Sequence, residues 1–185
     1  MKLLVLMTAK NRPEYTERTL KSLRETCPQN TTFSIWHNGE MTPDMDYFLI
    51  DLKENLFYSR NDLGWEKGTN AHILNYTLND YDYVLLTEND IEYNRGWFET
   101  CSSLLEKSDT IGVLSVLKEN DNLSSQLNED LMSNSKLFKG GWMFKSSRLT
   151  ELFPITDDVS FCKNIRDKKY LITTPTKDLA IRITK

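Results

Sequence analysis

Histidine is scarce in this chain. There are two, His37 and His72, so a metal site built on several imidazoles is not available. The three cysteines, Cys27, Cys101 and Cys162, are scattered, odd in number and without C-x-x-C spacing. That argues against a disulfide framework and against a zinc site, and it fits a reducing compartment, the cytoplasm. Long apolar runs are missing too. Leu3 to Met7 is the only apolar run at the amino terminus. It is too short for the core of a signal peptide or for a bilayer span, and no later segment is longer, so a soluble chain without a membrane span is expected. There is no internal repeat and no low-complexity tract. No basic stripe stands out in a chain of formal charge −4, which disfavours a nucleic-acid partner held through its phosphates.

What is present describes one packed domain. The chain has 185 residues, 39% hydrophobic and 27% charged, enough to build a core. Strand-like and helix-like segments alternate. Strands are expected at Lys2 to Met7, Thr32 to Trp36, Leu56 to Ser59, Asp82 to Thr87, Ile111 to Leu117, Leu137 to Phe144 and Tyr170 to Thr174. Helices are expected from Pro13 to Cys27, Asp44 to Lys53, Gly68 to Leu78, Trp97 to Lys107 and Val159 to Arg166. The alternation predicts an α/β fold, a mostly parallel central sheet with helices on both faces. Lys118 to Ser135 breaks it. This polar stretch has little clear periodicity and is long for a loop inside a compact domain, which points to a functional or a mobile segment.

The strongest local signal is Leu85-Leu86-Thr87-Glu88-Asn89-Asp90. An apolar strand ends there in two carboxylates and an amide, at the end of the sheet where open α/β folds bind ligands. If strand geometry persists, Glu88 and Asp90 point the same way and offer hard oxygen donors to a divalent cation. Three more polar segments follow expected strands. Thr8-Ala9-Lys10-Asn11-Arg12-Pro13 leads into a helix amino terminus, suited to a nucleotide or phosphate or simply a capped helix start. His37-Asn38-Gly39-Glu40 contains an ordinary Asn-Gly turn signal. Asn61-Asp62-Leu63-Gly64-Trp65-Glu66-Lys67-Gly68-Thr69-Asn70 reads as a loop entering a helix, its glycines consistent with close approach of backbone to a ligand.

In order and spacing these segments resemble the nucleotide-binding half of a family-2 glycosyltransferase with the GT-A fold. Thr8, Asn11, Arg12 and Tyr15 match its Thr-x-x-Asn-Arg turn, and His37-Asn38-Gly39-Glu40 matches an Asp-Asn-Gly-Ser-like turn. Asn61, Gly64 and Asn70 match its Asn-x-x-Gly segment, and Asp90 with Trp97 matches the Asp-x-Asp motif and the aromatic residue beyond it. Lys139-Gly140-Gly141-Trp142 resembles the glycine-rich acceptor segment, and Thr156-Asp157-Asp158 the acidic pair that supplies the catalytic base. The similarity runs over roughly residues 2 to 175, with about 1–100 as the nucleotide-sugar half and about 101–185 as the acceptor half of a single domain. Two positions depart from the pattern: His37 stands where an Asp contacts the base, and Asn89 holds the middle of the acidic motif.

The resemblance implies an inverting, metal-dependent transferase that uses a nucleotide-diphospho-sugar, UDP- or GDP-type. Mn²⁺ or Mg²⁺ would sit on Asp90, helped by Glu88. Thr8, Lys10, Asn11, Arg12, His37, Asn38, Asn61, Gly64, Lys67, Asn70, Glu88 and Asn89 would contact the donor. Asp158, with Asp157 as second choice, would be the base. Gly140, Gly141 and Trp142 would face a glycan or another hydroxyl-bearing acceptor, a modified nucleobase included. Trp142 and Trp97 could stack on a sugar, although burial is the commoner fate of tryptophan. Two other readings stand beside it: a non-catalytic sugar-nucleotide-binding protein with a degenerate site, and a nucleotidyltransferase. Against the latter, no glycine-rich phosphate loop carrying Lys or Arg lies near the amino terminus.

Overall fold

The computed structural model describes residues 1–52, 54–118, 125–133 and 140–183, leaving out the side chains of Ser125 and Asp158. The first half runs β1 (Leu3–Ala9), α1 (Pro13–Thr26), β2 (Thr31–Asn38), α2 (Pro43–Asp51), β3 (Asn55–Ser59), α3 (Gly64–Ile73), a 3₁₀ turn (Leu78–Asp80), β4 (Tyr83–Glu88) and β5 (Ile91–Tyr93). The second runs α4 (Trp97–Lys107), β6 (Ile111–Ser115), β7 (Ser125–Gln126), β8 (Leu131–Ser133), β9 (Trp142–Lys145), α5 (Ser146–Leu152), α6 (Asp158–Asp167), β10 (Leu171–Pro175) and β11 (Ala180–Arg182).

One nine-stranded sheet in the order β3-β2-β1-β4-β9-β6-β10-β8-β7 organises the chain. The expected parallel pairing holds through β3, β2, β1 and β4, and again between β6 and β10. β9 enters antiparallel between β4 and β6, so the second half of the sheet is mixed. Both faces are covered, which is why β1 and β4 read as unbroken apolar runs. Along β1, Leu3, Val5, Met7 and Ala9 join the core on one face with helices α1, α2 and α4, while Leu4 and Leu6 join the core on the other with α3, α5 and α6. The strand period of two divides one hydrophobic run between two cores.

Helix α5 has no counterpart among the expected helices, and α3 stops at Ile73 rather than Leu78. Three further differences shape the sheet and the cleft. Helix α3 begins at Gly64, a turn before Gly68, because side chains outside the helix satisfy its first donors: Leu63 N–H donates to Asn38 Oδ1 and Gly64 N–H to Asp62 Oδ1, both at 3.0 Å. Part of the polar stretch from Lys118 to Ser135 forms β7 and β8, an antiparallel pair that extends the sheet beyond β10. Residues 119–124 and 134–135 of that stretch, and residues 137–139 of the strand expected from Leu137, lie outside the described residues. The third difference is the two-stranded sheet of β5 and β11, which has no counterpart in the sequence reading. Among the described residues, no helix is long and apolar enough to cross a membrane.

His72 shows what the core asks of a polar group. It is fully buried on α3, and its Nε2 shares a hydrogen bond of 2.7 Å with Ser34 Oγ of β2. Burial pushes its pKa down to about 3. The folded state therefore keeps His72 neutral where the unfolded chain takes up a proton, and stability falls as pH drops below the unfolded value of about 6.5. Buried His37 is displaced in the same direction by the same cause. Urea unfolding between pH 7 and pH 5 should show a loss approaching roughly 1.4 kcal/mol per pH unit from His72, with His37 adding in the same direction. His72→Gln should reduce that slope; an unchanged slope would refute the assignment.

Candidate active site

The carboxyl ends of β1, β2 and β4 open into a cleft of about 600 Å³ whose lining includes Thr8, Lys10, Asn38, Asp62, Glu88 and Asp90. The topology explains the place: parallel strands ending together leave a crevice at their carboxyl ends.

The turn after β1 is the most constrained part of the wall. Asn11 and Arg12 both have positive φ, 51° and 59°, ahead of Pro13 at the start of α1. Two consecutive non-glycine residues in the left-handed region persist only where the surroundings fix them. Four hydrogen bonds do so. Asn11 N–H donates to His37 Nε2 at 3.3 Å, Asn11 Nδ2 to Glu40 O at 3.4 Å, Thr42 N–H to Asn11 Oδ1 at 3.0 Å, and Asn89 Nδ2 to Asn11 O at 3.0 Å. Arg12 then lays its guanidinium over the Tyr15 ring, 5.5 Å from the centroid.

This network gives a physical reason for both departures from the family pattern. His37 is fully buried, and its ring serves as an acceptor for the turn. It is set behind the cleft rather than against a base. Asn89 is nearly buried, and its amide also donates to Thr16 Oγ1 at 2.8 Å. An ionised Asp has no hydrogen to give either acceptor, so the amide is the group this geometry requires.

On the adjoining wall, Asn38 Nδ2 donates to Asp62 Oδ1 at 3.0 Å and to Gly64 O at 3.2 Å. Lys10 Nζ pairs with Asp62 Oδ2. The Lys10 hydrogen bond, followed by that of Gly64 N–H, holds the exposed Asp62 carboxyl below the usual range. Asp62 lay within a segment singled out from sequence but had no role of its own. Asn61 is exposed and accepts from Ser59 Oγ through its carbonyl. Lys67 is exposed on α3. Gly68 allows α3 to lie close on β2, since a Cβ there would come within 3.3 Å of Trp36 Nε1. Asn70 turns toward the other half of the chain. It donates to Ile155 O at 2.6 Å and accepts from Ile155 N at 2.9 Å, which ties α3 to the segment that leads into α6.

Strand β4 ends at Glu88, and Asn89-Asp90 form the turn into β5. Glu88 and Asp90 nevertheless converge, through a residue that the sequence reading missed. β11 pairs antiparallel with β5, setting Arg182 opposite Ile91. Arg182 Nη1 donates to Glu88 Oε2 at 3.1 Å and to both Asp90 oxygens at 3.0 Å. The backbone locks the same join, with Ile183 N–H on Asp90 O at 2.7 Å. Gly140 closes over this cluster at φ 87°, and a Cβ on it would come within 2.6 Å of Ile91 Cδ1 and 3.2 Å of Glu88 Oε2. Only glycine suits that position. Gly141, at φ 68°, follows it and gives its carbonyl to Val116 N–H.

Packing gives both tryptophans the commoner fate, burial. Trp142 is wholly buried, edge-on to Trp65 at 4.6 Å and stacked on Phe161. Trp97 is wholly buried too, with Nε1 donating to Thr26 Oγ1. Neither ring is placed to stack on a sugar. Asp157 caps α6 by accepting from Ser160 N–H at 3.0 Å, and hydrogen bonds from the Ser160 side chain and then its backbone N–H lower the Asp157 pKa. Asp158 is the first residue of that helix, and its side chain lies outside the described residues.

No model of a known protein family matches the chain, and no curated protein matches its sequence. Solved structures do match its fold. GalNAc-T7, solved with UDP, GalNAc and Mn²⁺, superposes with a TM-score of 0.76 at 8% identity, over 99% of this chain and 44% of that one. Staphylococcus aureus TarS gives 0.70 at 12% identity over 100% of this chain and 37% of that one. TarS 1–349 with UDP-GlcNAc gives 0.70 at 15% identity over 100% of this chain and 59% of that one. The chain has a GT-A fold. It spans between about a third and three-fifths of these GT-A proteins.

The Mn²⁺ in the GalNAc-T7 structure prompts a test of fit for the GT-A cleft described above. Glu88 and Asp90 are the oxygen donors a divalent ion would need, and the Arg182 guanidinium already bridges them. Among the described residues, no three His, Cys, Asp or Glu side chains converge to hold an ion. With Arg182 where it is, a metal does not fit.

Proposed function

We propose that this protein is an inverting glycosyltransferase, taking a sugar from a nucleotide-diphospho-sugar to the hydroxyl of a glycan or similar acceptor. The observation that carries the proposal is the over-determined Thr8–Arg12 turn facing the Glu88/Asp90 end of β4 across one cleft. A turn held in strain at a helix amino terminus offers fixed N–H groups to phosphate. UDP and UDP-GlcNAc in the neighbouring structures support a UDP-type donor, with a GDP-type donor as the alternative.

In this reading the nucleotide lies along the Thr8, Lys10, Asn11 and Asn38 walls. His37 and Asn70 hold those walls rather than touch the donor, while Asn89 lines the cleft and braces the turn at Asn11. Residues of about 1–100 bind the donor, and those of about 101–185 present the acceptor past Gly140 and Gly141. Asp158 removes the acceptor proton, and one direct displacement inverts the anomeric carbon. No step is assigned to Mn²⁺ or Mg²⁺, because the carboxylates that would hold the ion are bridged by Arg182. A nucleobase acceptor finds no support in the cleft or in the neighbours and is not part of the proposal. A cytoplasmic location belongs to it, supported by the odd count and scattered spacing of Cys27, Cys101 and Cys162, which suit a reducing compartment better than a disulfide framework.

The test is thermal stability and nucleotide release with UDP-GlcNAc, UDP-GalNAc and GDP-mannose, each with Mn²⁺ and with chelator. A ligand at a hundredfold excess over its dissociation constant adds roughly 2.7 kcal/mol, a readily measured rise in melting temperature. Stabilisation by one nucleotide class is the expected result. No rise with any of them, in either condition, would remove the donor reading.

A further inference from the structure

We propose that the Arg182 guanidinium is the resident cation of this site, taking the place of a divalent metal beside the donor diphosphate, so that donor binding and transfer proceed in chelator. The inference rests on the sugar-nucleotide reading above and deepens it.

Three observations carry it. First, one nitrogen of Arg182 is within hydrogen-bond distance of three oxygens on Glu88 and Asp90, the donor set an ion would use. A guanidinium seated on those oxygens neutralises their charge and repels a divalent ion, and it keeps its own charge at any accessible pH. Second, the arrangement is built. The antiparallel register of β11 on β5, the Ile183–Asp90 backbone bond and a glycine at 140 all converge on that one contact. Third, Arg182 is about one-third exposed, whereas Glu88 and Asp90 are more covered, so the positive end of the cluster has access to solvent beside the cleft.

The chemistry needs such a charge. In the transfer step the bond from the anomeric carbon to the β-phosphate oxygen breaks, and its electron pair leaves on the nucleoside diphosphate. The acceptor oxygen bonds to the anomeric carbon, and its proton passes to the base. The negative charge that grows on the leaving diphosphate is stabilised by a fixed cation aimed at it. Arg182 supplies that cation, and its carboxylate partners hold it in place. Planar, multidentate donors suit phosphate oxygens.

The test has a metal arm and a nucleotide arm. In the first, Mn²⁺ is titrated without nucleotide and followed by its magnetic resonance signal. Wild type should bind no Mn²⁺ at millimolar concentration, whereas Arg182→Ala should take it up and lose it again when combined with Asp90→Asn. Wild-type Mn²⁺ binding abolished by Asp90→Asn would overturn the proposal while leaving the donor reading intact. In the second arm UDP affinity is measured in chelator. Wild type should bind UDP equally with chelator and with Mn²⁺. Arg182→Ala should lose at least tenfold in chelator and recover with Mn²⁺, and Arg182→Lys, which keeps the charge, should lose less. Should Arg182→Ala fail to fold, wild type and Arg182→Lys decide: wild-type UDP binding that needs Mn²⁺ overturns the proposal. Absence of UDP binding in every condition overturns the donor reading and this proposal with it.

Discussion

Asn89→Asp, which would bring the acidic motif closer to the family pattern, should destabilise the protein. The amide donates to Asn11 O and Thr16 Oγ1 from a position only 8% exposed. A carboxylate there faces a carbonyl oxygen with nothing to donate, and pays for desolvation besides. Leaving such groups unsatisfied costs about 1–3 kcal/mol, more when one is charged, so a loss of roughly 2–4 kcal/mol at pH 7 is expected. The sign with pH is definite. Burial raises the folded-state pKa of the new Asp above its unfolded value of about 3.9. The deficit is therefore greatest at neutral pH and shrinks as pH falls toward 4, where the protonated acid regains one donor. Urea unfolding at pH 7 and pH 4.5, with wild type run alongside, measures it. The turn at Asn11-Arg12 should loosen as well, so donor affinity should fall with stability. A variant as stable as wild type at pH 7 would show that the amide is not needed.

That expectation could not have come from the sequence. An Asn inside an acidic motif reads as a weakened ligand, because nothing in a linear pattern shows that its two hydrogens are taken by residues 78 and 73 positions away. The framework was legible for the opposite reason. The apolar runs at Leu3 to Met7 and Tyr83 to Leu86 carry their own burial, and Pro13 marks a helix start without any tertiary partner. Elements set by pairing partners were not legible. β5 and β11 have three residues each, too few to show a period, and Arg182 matters only because that pairing puts it opposite Ile91. The run Ile181-Arg182-Ile183 has β-branched character, a signal for a strand but none for its partner. His37 and Trp142 show the same limit. Both residue types serve in binding sites and in cores, and burial on this sheet decides for the core.

Asp158→Asn should abolish transfer while leaving the donor bound. Removing a general base costs about 10²–10⁴ in rate, whereas UDP affinity should stay within about twofold, since proton removal plays no part in ground-state binding. The neighbouring acid supplies the control. Asp157 spends its carboxylate on Ser160 as the cap of α6, and the hydrogen bonds from the Ser160 side chain and N–H lower its pKa and turn it to the helix. Asn is as good a cap as Asp, so Asp157→Asn should keep both stability and turnover, while Asp157→Ala should lose about 1 kcal/mol of stability. The segment that delivers both acids is itself anchored, by the paired hydrogen bonds between Asn70 and Ile155. Asn70→Ala should therefore reduce turnover more than donor affinity. Steady-state rates and UDP titrations on the four variants separate the cases. If Asp157→Asn is the variant that loses turnover, the roles of the two acids are exchanged. If neither Asn variant does, the base lies elsewhere and the direct displacement proposed here loses its proton acceptor.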